Sequence, residues 1–282
     1  MKIWCGEVEA AQQLAKLEVN PPVEMTKLAM SCASSFESPG YGLTPLAEMV
    51  GGDIAMVRVA GNLINGSAGW RRLYNYIGYE DIKGALVEAV GRQDVKGIAI
   101  YFDTPGGAVN GVQSTANLIA EINKLKPIVG FAATAASAGY WLASGCESLV
   151  AQDTSILGSI GTIAMYANYV GMNEKEGIKY HIFKSGSLKM AGNPLEEMTD
   201  EVKAHLQMQV EDLTTLFYRD IAIGRKQDAS VMRENFGDGR SVLGMRALAG
   251  GLIDEIGTLG TAIERLRAKV KAKDTSANLG IV

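Results

Sequence analysis

The sequence predicts an α/β layered fold built of βαβ units, with a long helical region toward its C-terminal end. Three observations predict it. The stretch "GIAIYFD" (97–103) is a continuous apolar run, which is how a strand covered on both faces reads. From residue 53 onward such runs alternate with segments of helical periodicity, and that alternation makes parallel crossovers. Finally, 47% of the 282 residues are hydrophobic, enough to fill the core of one large domain or two small ones.

Residues 1–52, punctuated by "NPP" and "ESPGYG", read as an irregular or helical N-terminal arm. "IAMVRVAG" (54–61) reads as a buried strand, and a loop rich in Gly, Asn and Ser follows it through Gly69. "YEDIKGALVEAV" (79–90) has amphipathic helix spacing, and 97–103 is the next strand. A helix over about 110–124 leads to strand "PIVGFAA" (127–133). A turn at Ser137 opens a short helix, then strand "SLVAQD" (148–153). "YHIFKSG" (180–186) reads as one more strand.

Thr199 is a candidate N-cap with Asp200 and Glu201 in the first turn. Val202, Leu206, Val210, Leu213 and Phe217 follow at helical spacing, a stripe for core or subunit packing. A helix-turn region ends in "ALAGGLIDEIG", and the last helix carries Arg265, Arg267, Lys269, Lys271 and Lys273, whose charges suit a helix C-terminus. Residues 53–268 therefore read as the folded domain. Residues 269–282 read as a flexible C-terminal tail, loose from 274.

The charge is balanced, with a net of −4, so no strong field points to nucleic acid or an anionic membrane. Cys5, Cys32 and Cys146 lack metal-ligand spacing, and their odd number fits a reducing compartment. No apolar run approaches the roughly 20 residues that span a bilayer. The start has no signal-peptide apolar region. A soluble cytoplasmic protein is expected.

The stretch "ATAASAGYWLAS" (133–144) places Ser137 among small residues just before a helical pattern. An exposed Ser at a strand-to-helix turn can be a nucleophile if a base and an oxyanion hole are supplied, and it can equally be tight packing. His181 and His205 are the only histidines, and neither has a triad context. Lys184 and Lys189, in "KSGSLKMAGNP", are the other candidate bases. A lysine serves only where burial or neighbouring charge depresses its pKa. In "FDTPGGAVNG", Pro105, Gly106 and Gly107 follow a buried strand, where backbone N–H groups can face a substrate unobstructed. No Lys-Ser/Thr follows, so this is not a P-loop. "SILGSIGTIA" (155–164) is a third Gly/Ser turn after a strand.

Taken in order, "DTPGG", "AASAGYWLAS", "LGSIGTI", "SGSLK…GNP" and "GLIDEIG" resemble the S49, or signal peptide peptidase A, family of serine peptidases over about residues 54–268. The resemblance implies a ClpP/crotonase-like superhelix. It makes Ser137 the nucleophile, Lys189 the general base rather than Lys184, and Ser159 the residue that orients the lysine amine. The N–H groups of Gly107 and Ala138, within the Gly106–Gly107 turn and after the nucleophile, would form the oxyanion hole. Alanine stands at 138 where the commoner family pattern has glycine, and it still offers an N–H. No metal or organic cofactor is implied.

Members with a single Ser motif and a single Lys motif assemble into rings, and Ser and Lys reach one site from neighbouring subunits. A homo-oligomer is therefore implied, with the 199–224 helix as a contact surface. The "SG-x-x-K-x-x-GNP" spacing is closest to that of lambdoid-phage head maturation proteases, which cut scaffold, portal or themselves inside the procapsid. A host-encoded soluble peptidase of the same family is an alternative. So are a catalytically silent capsid scaffold and an acyl-CoA-using crotonase fold, though the Ser-Lys pair would be unexplained in the last.

Overall fold

The computed structural model describes residues 3–5 and 45–278; most of the 1–52 arm and the last four residues of the tail lie outside the described residues. In chain order come β1 (Ile3–Cys5), β2 (Ala47–Val50), β3 (Ile54–Ala60), β4 (Asn62–Ile64), a 3-10 turn at Gly69–Tyr74, β5 (Tyr76–Gly78) and α1 (Tyr79–Gly91). The middle of the chain holds β6 (Gly97–Thr104), β7 (Gly107–Ala108), α2 (Val112–Leu125), β8 (Ile128–Ala136), α3 (Ala138–Ala143), β9 (Ser148–Gly158) and β10 (Ile163–Ala164). Then follow α4 (Val170–Lys175), α5 (Asp200–Arg225), α6 (Ala229–Phe236), β11 (Ser241–Leu243), α7 (Gly244–Ala249), β12 (Glu255–Ile256) and α8 (Leu259–Asn278).

The main sheet has the order β11-β9-β8-β6-β3-β2, with β12 also on β9. β3, β6, β8 and β9 are mutually parallel, as strands joined by helical crossovers must be. Alternate residues serve opposite faces. Ile98, Ile100 and Phe102 of β6 join one apolar cluster with Leu86 of α1, Ile119 of α2, Trp141 of α3 and Phe217 of α5. Ala99 instead joins Val129, Phe131, Ala262 and Leu266 under α8. Both faces are thus covered, which is why β6 reads as unbroken hydrophobicity. α8 lies so close that a Cβ on Gly97 would sit 2.9 Å from Leu266 Cδ1.

The ladder is interrupted once, at the same level in two strand pairs. β8 pairs with β9 at Ala132↔Ala151 and resumes only at Thr134↔Ile156, and its pairing with β6 shifts between Phe102 and Asp103. Buried Ser155 fills the gap, donating to Ala132 O at 2.6 Å and accepting from Gln152 N–H at 3.0 Å. The break re-aims the last residues of β8.

A smaller sheet, β10-β1-β7-β4-β5, stands at the C-terminal end of the main one. Three expectations need correction. No strand forms over 180–186: the backbone is irregular through residue 184, and Phe183 is 95% exposed. A short apolar run alone cannot distinguish a sheet strand from an apolar surface segment. The arm is not wholly irregular or helical, because Ala47–Val50 pairs antiparallel with β3 and Ile3–Cys5 joins the smaller sheet. Nor does the chain loosen at 274. α8 runs to Asn278, with Lys269 paired to Glu147 and Lys273 Nζ donating to Lys124 O and Leu125 O at 3.0 and 2.7 Å. Those carbonyls end α2 and need donors that α2 itself cannot give.

Candidate active site

β8 ends at Ala136 and α3 begins at Ala138, so Ser137 must reverse the chain in a single residue. It does so at φ 52° and ψ −123°, a conformation that costs a non-glycine residue on the order of 1–3 kcal/mol. Surrounding hydrogen bonds hold it there. Ser137 N–H donates to Gly158 O at 2.7 Å, and Ser137 O accepts from Tyr140 N–H at 2.9 Å and Trp141 N–H at 3.0 Å. The small residues serve close approach: a Cβ on Gly139 would lie 2.4 Å from Thr104 Cγ2. A strained serine on a strand-to-helix elbow presents its hydroxyl at the edge of the sheet.

Ser137 is 2% exposed and lines an open hollow of about 290 Å³ together with Ser159, Ile160, Thr162, Thr214 and Asp238. Ser159 also has a left-handed backbone, φ 51°, and its N–H donates to Arg240 O at 2.9 Å. The structure therefore brings Ser137 and Ser159 together. It does not bring Lys189 to them within one chain. Lys189 is exposed in the 186–193 turns, and among the described residues its amine makes no ion pair or hydrogen bond. Lys184 is instead held by Glu196 at 2.8 Å, and Asn193 Nδ2 donates to the same carboxylate. Lys184, then Asn193, hold the Glu196 carboxyl below its ordinary range. His181 is exposed and His205 half-buried on α5, and neither lines the hollow.

Of the candidate oxyanion donors, Gly106 N–H is given to Thr104 Oγ1 at 3.1 Å, and Gly106 turns the chain at φ 104°. Gly107 packs against β4 so tightly that a Cβ would lie 2.0 Å from Leu63 O. Ala138 is the first residue of α3, where an N–H has no intrahelical acceptor.

Sequence reasoning missed the residues that hold this geometry from behind. Tyr218, buried on α5, donates its hydroxyl toward Ile160 O at 3.1 Å and Phe236 O at 3.0 Å, tying two walls of the hollow together. Thr162 Oγ1 donates to Val210 O at 2.8 Å, fastening the third wall to α5. Gly237, Asp238 and Gly239 line the hollow opposite Ser137, and the "GDG" spacing was their only sequence signal. Deeper, Arg225 (side chain 5% exposed) pairs with Asp254 of the "GLIDEIG" segment at 2.9 Å, and Asp254 also accepts from Leu149 N–H at 2.7 Å. Burial pushes the Asp254 carboxyl up, but the Arg225 guanidinium and the Leu149 N–H outweigh it and leave it below its ordinary range. Burial pushes the neighbouring Cys146 thiol up to about 12.

Comparison with known proteins finds a matching family. The description "Peptidase family S49" matches residues 120–273, which include the Ser137 elbow, Ser159, Lys189 and most of α8. An Enterococcus faecium protein named for signal peptide peptidase SppA is 34% identical over 184 residues, 64% of this chain and 53% of that protein. Capsid assembly protease C of Escherichia phage lambda is 29% identical over 228 residues, 80% of this chain and 52% of that protein. Head-tail preconnector protein GP5 of Enterobacteria phage P21 is 30% identical over 171 residues, 60% of this chain and 34% of that protein. The chain thus spans about half the length, or less, of these relatives. Among the described residues no helix is long and apolar enough to cross a membrane. A family match over more than half of the chain, on a parallel sheet that ends in a strained serine elbow, makes this chain a member of peptidase family S49.

Proposed function

We propose that the chain is a serine endopeptidase acting in phage head assembly, with a Ser137–Lys189 dyad completed between copies of the chain. The observation that carries this reading is the Ser137 elbow, which strains the one serine that opens with Ser159 into the hollow. Ser137 Oγ attacks the scissile carbonyl while Lys189 accepts its proton. The oxyanion is received by the N–H groups of Gly107 and Ala138, and Ser159 orients the amine. The same proton leaves with the amine product, and water then hydrolyses the acyl-serine. No metal or organic cofactor has a step in this scheme.

Lys189 is exposed and away from the hollow, so another copy must cover it; a lysine base also needs that desolvation. The segment that carries it is unusually apolar at its surface, with Met165, Tyr169, Met172, Ile178, Tyr180 and Phe183 exposed. Self-association through this face would bring the lysine of one copy to the hollow of another. The substrates are scaffold, portal or the chain itself, in line with the lambda relative named capsid assembly protease. The site of action is the host cytoplasm, inside the procapsid.

The test is co-expression with the capsid and scaffold proteins encoded beside it, reading intact masses. Trimming by the parent chain, and none by Ser137→Ala or Lys189→Ala, is expected. Particles that assemble around the chain without any cleavage would overturn the reading in favour of a silent scaffold. The relative named for signal peptide peptidase supports a second reading, a peptidase of host signal peptides. Capsid partners left intact while signal-peptide-like peptides are degraded would establish it.

A further inference from the structure

β1 lies between β7 and β10, antiparallel to both: Trp4 and Cys5 face Ala108 and Gly107, and Ile3 and Trp4 face Ala164 and Ile163. β10 borders the hollow, and β7 contacts the α3 helix that follows Ser137. β7 starts at Gly107, just past the Pro105–Gly106 turn, and that turn leaves β6 at Thr104, which pairs with Ala135 of β8 and abuts Gly139. β10 follows Ser159–Thr162, and its Ile163 lines the hollow with Ser137. β7 runs away from the Gly106 turn, so the antiparallel β1 runs toward it and Cys5, opposite Gly107, is its residue nearest that turn.

β1 fills a slot whose walls are only two residues long each, Trp4 pairing with both walls, Ile3 with β10 and Cys5 with β7. Without β1 those walls would present open ladder edges, which is the form in which an extended polypeptide is captured by strand addition. A peptide delivered to Ser137 along these edges would need the same backbone partners that Ile3–Cys5 holds.

We propose that the slot between β7 and β10 receives substrate polypeptide as an added strand, and that Ile3–Cys5 is its resident occupant, a competitor in cis that substrate must displace. The proposal rests on the peptidase reading for what the slot delivers, but the occupancy itself can be measured without catalysis. A competitor of this kind reduces apparent affinity by the fraction of time the slot is filled.

Two measurements test it. In the Ser137→Ala background, amide exchange at Ala108, Ile163 and Ala164 is compared between the full chain, a variant lacking residues 1–6, and the full chain carrying Trp4→Pro. A proline cannot sit in a strand paired on both sides. Faster exchange in both altered forms, reversed by adding the peptide of residues 1–6, is expected; equal exchange in all three overturns the proposal. In the active background, deleting residues 1–6 should lower KM for a peptide substrate at least about threefold with kcat unchanged. An unchanged KM in a form that still cleaves overturns the competition. If no form cleaves any peptide while exchange responds as expected, the peptidase reading falls and the strand occupancy stands.

Discussion

At the scale of single residues, the elbow is the feature most open to attack. Ser137→Ala removes only the hydroxyl, because its backbone bonds to Gly158, Tyr140 and Trp141 stay available. Stability should change by less than about 1 kcal/mol while peptide cleavage falls by about 10³-fold or more. Thermal unfolding together with active-site labelling by a fluorophosphonate would show both. Gly139→Ala should do the reverse of a clean deletion. Its Cβ would press on Thr104 at 2.4 Å, so the expected cost is about 1–3 kcal/mol, read by denaturant midpoint, with activity lost through a displaced Ser137.

At the scale of elements, α5 behaves as the spine of the site. From its one helix, Val210 O, Thr214 Oγ1 and the Tyr218 hydroxyl bind the 160–162 segment, and Tyr218 also reaches Phe236 O at the end of α6. Tyr218→Phe removes the one hydroxyl proton that the Ile160 and Phe236 carbonyls share. It should cost about 1–2 kcal/mol and lower kcat, since the walls around Ser137 and Ser159 loosen. Steady-state kinetics at two temperatures below the unfolding transition would check it.

Much of this level was legible in the sequence. β3, β6, β8, α1, α2 and the Thr199 cap follow from periodicity and capping, and Thr199 Oγ1 accepts from Val202 N–H at 3.3 Å. The small residues around Ser137 were legible because close backbone approach admits little else. What was not legible depends on partners far apart in the chain. Arg225 and Asp254 are 29 positions apart, and Tyr218 and Ile160 are 58 apart. The apolar run at 180–186 reads as a strand, yet its hydrophobicity is spent on the surface. Nothing local in "KSGSLK" says which lysine is held by a carboxylate; Glu196, twelve residues on, decides it.

At the scale of the whole molecule, the Arg225–Asp254 pair clamps α5 onto the base of β9 through Leu149 N–H. Arg225 is buried but the Asp254 side chain is 31% exposed, so Asp254→Asn should cost about 1–3 kcal/mol, the range for a hydrogen bond to a charged group, and lower the denaturation midpoint accordingly. Because the folded carboxyl titrates below its ordinary 3.8, the pair contributes its full stability above that pH. The contribution is lost as pH falls through the depressed folded value. Acid unfolding should therefore be shallower in Asp254→Asn than in the parent over that window. Assembly gives a further expectation at this scale. Ser137→Ala and Lys189→Ala chains, each inactive alone, should regain activity when mixed before assembly, and two chains that stay inactive together would place the dyad within one copy.

The register break beside Ser155 has a mechanical meaning. It divides the sheet into two ladders in series. The lower one is anchored by Ala132↔Ala151 and sandwiched between two apolar clusters, and the upper one is the short Thr134–Ala136 run that ends in the elbow, held between Asp103–Thr104 of β6 and Ile156–Gly158 of β9, which β11 backs. Between β8 and β9 the ladder hydrogen bonds stop at the break and the Ser155 hydroxyl stands in their place, so the two parts can open separately. The upper ladder can part and re-form while the lower one keeps the chain folded, so wear at the working end need not cost the molecule its fold.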